Sequence, residues 1–317
     1  MKHWEKVLPL LVSAGLISWL LYQVSPEALL AAAAQLPWKQ LALLTIAMVF
    51  VLYLWDGLCL QAVYATDEAP LGYWRMLHIR GLSYLLSALH CQLGQAMVIW
   101  NVARHQGGSL VTTASRGILL LYHDGVILIS AGFIGAWFST SPRAPSIRVF
   151  CGAALVLLLG IAAVVTLSPV SLRHRFQNTR WGNWLGDWTW RHSLRLFLLR
   201  IVYYAVLGLY ATLALRICGV YKDHATVLST IPLVLVADSL PSISGLGTRE
   251  TALYLLLGAE HREVLVAMGL FWSLGLLLVR LAIGLIHLWF SGEMLLPPAV
   301  AIGEALDGDC AAEPNVR

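Results

Sequence analysis

SISGLGTRETALYLLLG, Ser242 to Gly258, places two glycines, an arginine and a glutamate between apolar runs. The run before it ends in LVLVADSLP, Leu233 to Pro241; the run after it is ALYLLLG, Ala252 to Gly258. In a charged, soluble chain such a stretch is a surface turn followed by a capped helix. This chain is 317 residues long, 59% hydrophobic and only 12% charged, with a mean hydropathy of +0.74. Soluble domains carry about a quarter charged residues, so the composition is that of a membrane protein. Here the stretch implies polar main chain at membrane depth. Pro241 ends the preceding run. Gly245 and Gly247 permit positive φ and close approach of a second group. Thr248, Arg249 and Glu250 then open a new helical run. The first turn of a helix has free N–H groups and a partial positive charge, which inside a membrane makes an anion site.

Working outward, a membrane helix needs roughly 20 apolar residues. Val7–Val24, Leu41–Tyr64, Gly117–Phe138, Ile147–Leu167, Leu196–Ile217 and Val264–Phe290 meet that need. Two further regions are apolar but interrupted. Leu77–Val102 contains Arg80, His90, Gln92, Gly94 and Gln95, and Ala225–Leu257 contains Pro232, Asp238, Pro241 and the opening stretch. Unpaired backbone groups in hydrocarbon cost several kcal/mol each, so a break at depth must be buried in protein or line a wet cavity. Paired breaks in two halves of a chain point to a transporter's binding site. Setting Leu93-Gly94 on Leu246-Gly247 aligns a polar pair, an apolar run and a His-containing turn, which suggests an internal repeat. The expected fold is therefore all-α: a polytopic integral membrane bundle with two broken, re-entrant-like segments. It occupies residues 1–298, with a polar, acidic and disordered tail over 299–317.

Charges inside the spans select the candidate residues. Asp56, Asp124, Asp238, Arg200 and Arg280 each cost about 2.5–3.5 kcal/mol at a helix centre, so they should face the interior and pair. Arg280 with Glu250 or Asp238 is the first expectation, Arg116 with Asp124 the second, and Arg200 can snorkel from its helix end. A lipid phosphate is the natural anion for the helix start at Thr248, and Arg249 has the donor fork that fits it. In the plainer alternative, Glu250 offsets the helix dipole and Arg249 pairs with a carboxylate. His123 beside Asp124 raises proton coupling, although adjacent residues point about 100° apart on a helix. The cysteines (Cys59, Cys91, Cys151, Cys218 and Cys310) form no CxxC pair, so neither a metal nor a cofactor is implied. The G-x-G lacks a nucleotide fingerprint's context, and no nucleic-acid motif is present. Ser168–Leu194 is rich in arginine, with a single acid, Asp187. The positive-inside rule places this loop, and the amino terminus with Lys2 and Lys6, in the cytoplasm. Trp181, Trp184, Trp188, Trp190 and Phe197 suggest that part of it lies along the interface.

GLGTRETALYLLLG resembles the glycine–leucine–glycine, arginine–glutamate signature of the lysylphosphatidylglycerol synthase transmembrane-region family, also described as flippase-like. QLGQAMVIWNVARHQGGSLVTTASRGILLLYHDGVIL is similar to that family's other block, and the resemblance runs from about Leu41 to Phe290. The chain departs from the pattern at Gln95, where the family usually has glutamate. It departs again at His123-Asp124, where a glutamate–arginine pair is common, and at Ser244-Gly245, where the glycine is usually doubled. The family's aminoacyltransferase activity belongs to a separate soluble domain, so the resemblance implies a non-enzymatic membrane module. That module would handle a modified lipid: aminoacylated, hopanoid-type or lipid-linked sugar. Gly245, Gly247, Thr248 and Arg249 would form its headgroup site, with Glu250, Asp238 and Arg280 shaping its charge and Gln95 contributing from the other half. Its partners would be membrane lipids and a lipid-modifying enzyme, in a multi-pass protein of a bacterial cytoplasmic membrane, oligomeric state open. The rivals are an intramembrane lipid-modifying enzyme, which needs a nucleophile with a positioned base, and a scaffold that does not transport.

Overall fold

The computed structural model describes residues 3–64, 71–89, 91–167, 190–238, 246–257 and 261–291. Gly245, His90, most of the Arg-rich loop and the tail over 299–317 lie outside them. The described residues form eleven helices and no strands.

The first segment bends. α1 (His3–Gln23) leads into α2 (Pro26–Gln35), and the axis turns by 90° between Leu11–Gln23 and Pro26–Gln35. Pro26 has no N–H to continue α1. Ser25 restarts the helix by accepting from the Ala28 N–H at 3.3 Å. This bend was not expected beside the two interruptions.

Among the described residues five helices are long and apolar enough to cross a membrane. These are α3 (Trp38–Tyr64), α6 (Leu110–Phe138), α7 (Ala144–Leu167), α8 (Trp190–Ile217) and α11 (Arg262–Ser291). Their outward faces are apolar, as lipid demands: Leu43, Val149 and Val156 are among the most exposed residues. Trp38, Trp74, Trp137 and Trp289 are exposed within the first or last turn of their helices, where amphipathic rings meet the headgroups.

Both interrupted regions are helix pairs. The first divides into α4 (Tyr73–Leu89) and α5 (Cys91–Gln106). They fold back so closely that a Cβ on Gly94 would stand 3.0 Å from the Ser83 carbonyl oxygen. The second divides into α9 (His224–Ala237) and α10 (Thr248–Leu257). The two aligned glycines do different jobs, because Gly94 sits inside α5 and packs on α4, whereas Gly247 precedes α10 with φ +88°.

The core is arranged around α11, which packs on α2, α3, α4, α8 and α10. Its main cluster joins Leu41 and Leu52 to Tyr210, Ile231, Leu253 and Trp272. A second cluster joins Leu60 and Tyr64 to Met76, Ile79, Val98 and Leu196. Cys59 and Cys151 are buried free thiols acting as small apolar residues.

Candidate functional site

The start of α10 is buried against α11. Thr248, Arg249 and Glu250 are 2%, 4% and 0% exposed. Glu250, in the third helical position, turns back and accepts from the Gly247 N–H at 2.7 Å, which is half of a capping box. Arg249 donates to Asp238 Oδ2 through Nη2 at 2.5 Å and Nε at 3.2 Å. It also donates to Ser273 Oγ at 3.1 Å, and its guanidinium lies 4.9 Å from the Trp272 ring centroid. Ser273 passes the connection on by donating to Glu250 Oε1 at 2.6 Å. One serine of α11 therefore joins the arginine to the glutamate. Asp238 caps the end of α9, so the Arg249 ion pair also closes the gap between α9 and α10.

The end of α4 reaches the same place. Ser87 and Ala88 of α4 and Ser273, Leu276, Leu277 and Arg280 of α11 line a cavity of about 10 Å³, room for about one water. The tips of the two broken pairs thus converge on Ser273. Among the described residues Arg280 makes no ion pair or hydrogen bond with Glu250 or Asp238, whose bonded partners are Gly247, Ser273 and Arg249. Its guanidinium stands 5.5 Å from the Tyr84 ring centroid instead. Gln95, half-buried on α5, makes no hydrogen bond to the Arg249 cluster among the described residues. The geometry at Arg249 and Glu250 is thus the plainer of the two alternatives: the anion position at the helix start is filled by the chain's own glutamate.

Tyr84 leads to a second buried cluster. Arg80 lies 5.1 Å from the same ring and forms an ion pair with Asp56 at 2.6 Å, without hydrogen-bond alignment. Arg200 bridges two acids, donating to Asp56 at 3.0 Å and to Asp124 through Nε at 2.5 Å and Nη2 at 2.6 Å. Nη2 also donates to the Tyr204 hydroxyl at 3.1 Å. Arg200 is only 5% exposed, so it does not snorkel, and Asp124 pairs with it rather than with Arg116. Here two arginines, Arg80 and Arg200, meet two carboxylates, and Tyr84 stands between this cluster and Arg280.

His123 and Asp124, raised above for proton coupling, have separate hydrogen-bond partners. His123 Nδ1 donates to the Leu119 carbonyl at 2.8 Å, and Asp124 is held by Arg200. The histidines that meet are His78 and His287, whose Nδ1 atoms are 2.9 Å apart. Tyr53 donates its one proton to the Leu77 carbonyl at 3.0 Å, so it accepts from His287 Nε2 at 2.6 Å. With His287 neutral, His287 Nδ1 is then the acceptor for the His78 Nδ1–H.

Sequence reasoning named Arg249, Glu250, Asp238 and Arg280, and the structure gathers them. It missed Ser273 and Tyr84, and it counted Arg80 only as an interruption. A serine or tyrosine inside an apolar span carries no signal. Arg80, a charge inside an apolar region, was the available clue.

Together the spans, the paired breaks and the buried charge define a multi-pass α-helical membrane protein with an internal polar site. A family model described as Lysylphosphatidylglycerol synthase TM region matches residues 6–286. The chain belongs to this family. Comparison with curated proteins and with solved structures returned no match.

Proposed function

We propose that this protein receives the charged headgroup of a membrane lipid where its two broken helix pairs converge and passes it between leaflets. The acyl chains stay in the surrounding lipid. The observation that carries this reading is the cluster of buried Arg249, Glu250 and Ser273 with half-buried Asp238, where the tips of both broken pairs meet α11. Ionised groups within a bilayer are costly and mark transport paths, and discontinuous helices supply the site in transporters. Family membership supports a lipid as the substrate class.

The conformation described is closed. A lipid phosphate would enter by competing with Asp238 and Glu250 for Arg249 and for the start of α10, and the released carboxylates would then face any amine on the headgroup. Aminoacylated phospholipids, hopanoid-type lipids and glycosylated lipids fit such a role. The bacterial cytoplasmic membrane is its natural place, and an enzyme that makes the lipid is its natural partner.

The test is reconstitution into liposomes containing a headgroup-labelled phospholipid, read out by a membrane-impermeant reagent. Wild type should exchange the label between leaflets. Removing Arg249 deletes charge-assisted hydrogen bonds, so Arg249→Ala should slow exchange by ~10- to 100-fold. The double variant Arg249→Ala/Asp238→Asn, which leaves no unpaired buried aspartate, should be equally slow while folding normally. Exchange at the wild-type rate in both variants removes Arg249 from the mechanism.

A further inference from the structure

The side of α8 turned away from Arg200 holds a groove of about 580 Å³. Its wall is a stripe of Leu194, Leu198 and Val202 at helical spacing, 47%, 54% and 41% exposed. Its floor is Trp55 of α3, whose indole N–H donates to the Leu199 carbonyl at 2.8 Å. At one end stand Arg191 and Arg195, one turn apart and both exposed.

The depth of these residues identifies the occupant. The apolar span of α8 runs from Arg191 to Ile217, 27 residues, or about 40 Å. That exceeds the ~30 Å hydrocarbon layer, so the first turns reach the headgroup level while Leu198 and Val202 lie at acyl depth. An occupant must then carry negative charge at the membrane surface and an apolar chain below it. A soluble anion needs no trough, and an uncharged lipid needs no arginines. The loop before α8 is arginine-rich and expected in the cytoplasm, and basic pockets between helices on that side select anionic lipid.

We infer that the α3–α8 groove is a binding site for an anionic glycerophospholipid of the cytoplasmic leaflet, separate from the convergence site. The groove touches the interior cluster through the chain itself. Trp55 precedes Asp56 and Leu199 precedes Arg200, so a lipid seated there braces the two helices that Arg200 ties together.

The test is native mass spectrometry of delipidated full-length protein offered phosphatidylglycerol or phosphatidylcholine at equal concentration. Wild type should retain phosphatidylglycerol preferentially. Arg191→Gln/Arg195→Gln should weaken that retention by about tenfold or more, each surface arginine contributing an attraction of the size seen at anionic membranes. Leu198→Trp, which fills the trough and keeps both arginines, should lower retention as well. Adding the glutamine pair in an Arg249→Ala background should cost the same further factor, which separates this site from the translocation path. Equal retention of both lipids by wild type, or unchanged phosphatidylglycerol retention in the glutamine variant and the tryptophan variant, overturns the proposal.

Discussion

At Gly247 the backbone runs at φ +88°, where a side chain is strained. A Cβ there would also approach Leu16 Cβ to 3.1 Å and the Ser13 carbonyl oxygen to 3.2 Å. The residue therefore answers to two constraints: the turn into α10, and the contact between α10 and α1. Gly219 separates them, because its φ is +75° with no atom within 4 Å of a built Cβ. Valine at either position incurs a backbone cost on the order of 1–3 kcal/mol; only at 247 does it also push α1 away. Gly247→Val is expected to lower the thermal unfolding midpoint in detergent more than Gly219→Val. Equal shifts would show that the contact with α1 contributes nothing.

At the scale of helices, Arg200 on α8 holds α3 through Asp56 and α6 through Asp124, and Arg80 adds α4 through Asp56. Four helices otherwise joined by apolar packing and by single hydrogen bonds, such as those from Tyr53 and Trp55 to neighbouring carbonyls, are thereby given a fixed register. Within lipid, apolar packing alone distinguishes one register from another only weakly. Arg200→Met would strand Asp124 and leave Asp56 to Arg80 alone, at a cost of about 3–5 kcal/mol. The double variant Arg200→Met/Asp124→Asn removes the stranded charge, keeps the Asp56–Arg80 pair and should recover much of that loss. Chemical denaturation in detergent measures both. A double variant no more stable than Arg200→Met alone would show that the network is not the tie between these helices. The broken pairs follow the same logic. Asp238 at the end of α9 and Arg249 at the start of α10 hold together two helices whose connecting residues are polar and glycine-rich.

Across the whole molecule, the class of fold was legible because hydrophobic length and interruption are local properties. Five of the six apolar spans, the division of Leu77–Val102 into α4 and α5, and that of Ala225–Leu257 into α9 and α10 each follow from a run of residues; the expected span Val7–Val24 is instead the first arm of the bent segment. Part of the site was legible for the same reason: a charge inside an apolar run is conspicuous, so Asp238, Arg249, Glu250 and Arg280 stood out. Their pairing was not legible. Arg200 meets Asp56 across 144 positions and Asp124 across 76, and His78 meets His287 across 209. Such partners are set by which helices become neighbours, and Ser273 joins the site only because α11 lies against the tips of both pairs. The 90° bend at Ser25–Pro26 was open to reading from a serine cap and a proline, the usual restart signal. The polar row runs from Asp124 through Arg200, Asp56, Arg80, Tyr84 and Arg280 to Ser273 and Arg249. It crosses the bundle between apolar faces, and Ser273 is where both broken pairs reach it. The central claim is that this closed meeting point opens to admit a lipid headgroup. Its most direct test places a single thiol there, Ser87→Cys, in protein whose native cysteines have been replaced. A membrane-impermeant thiol reagent is then applied to one face of proteoliposomes at a time while lipid is exchanging. Modification is expected from each face in turn, slowed by an excess of a lipid whose headgroup occupies the site. A thiol inert to the reagent from both faces would contradict it.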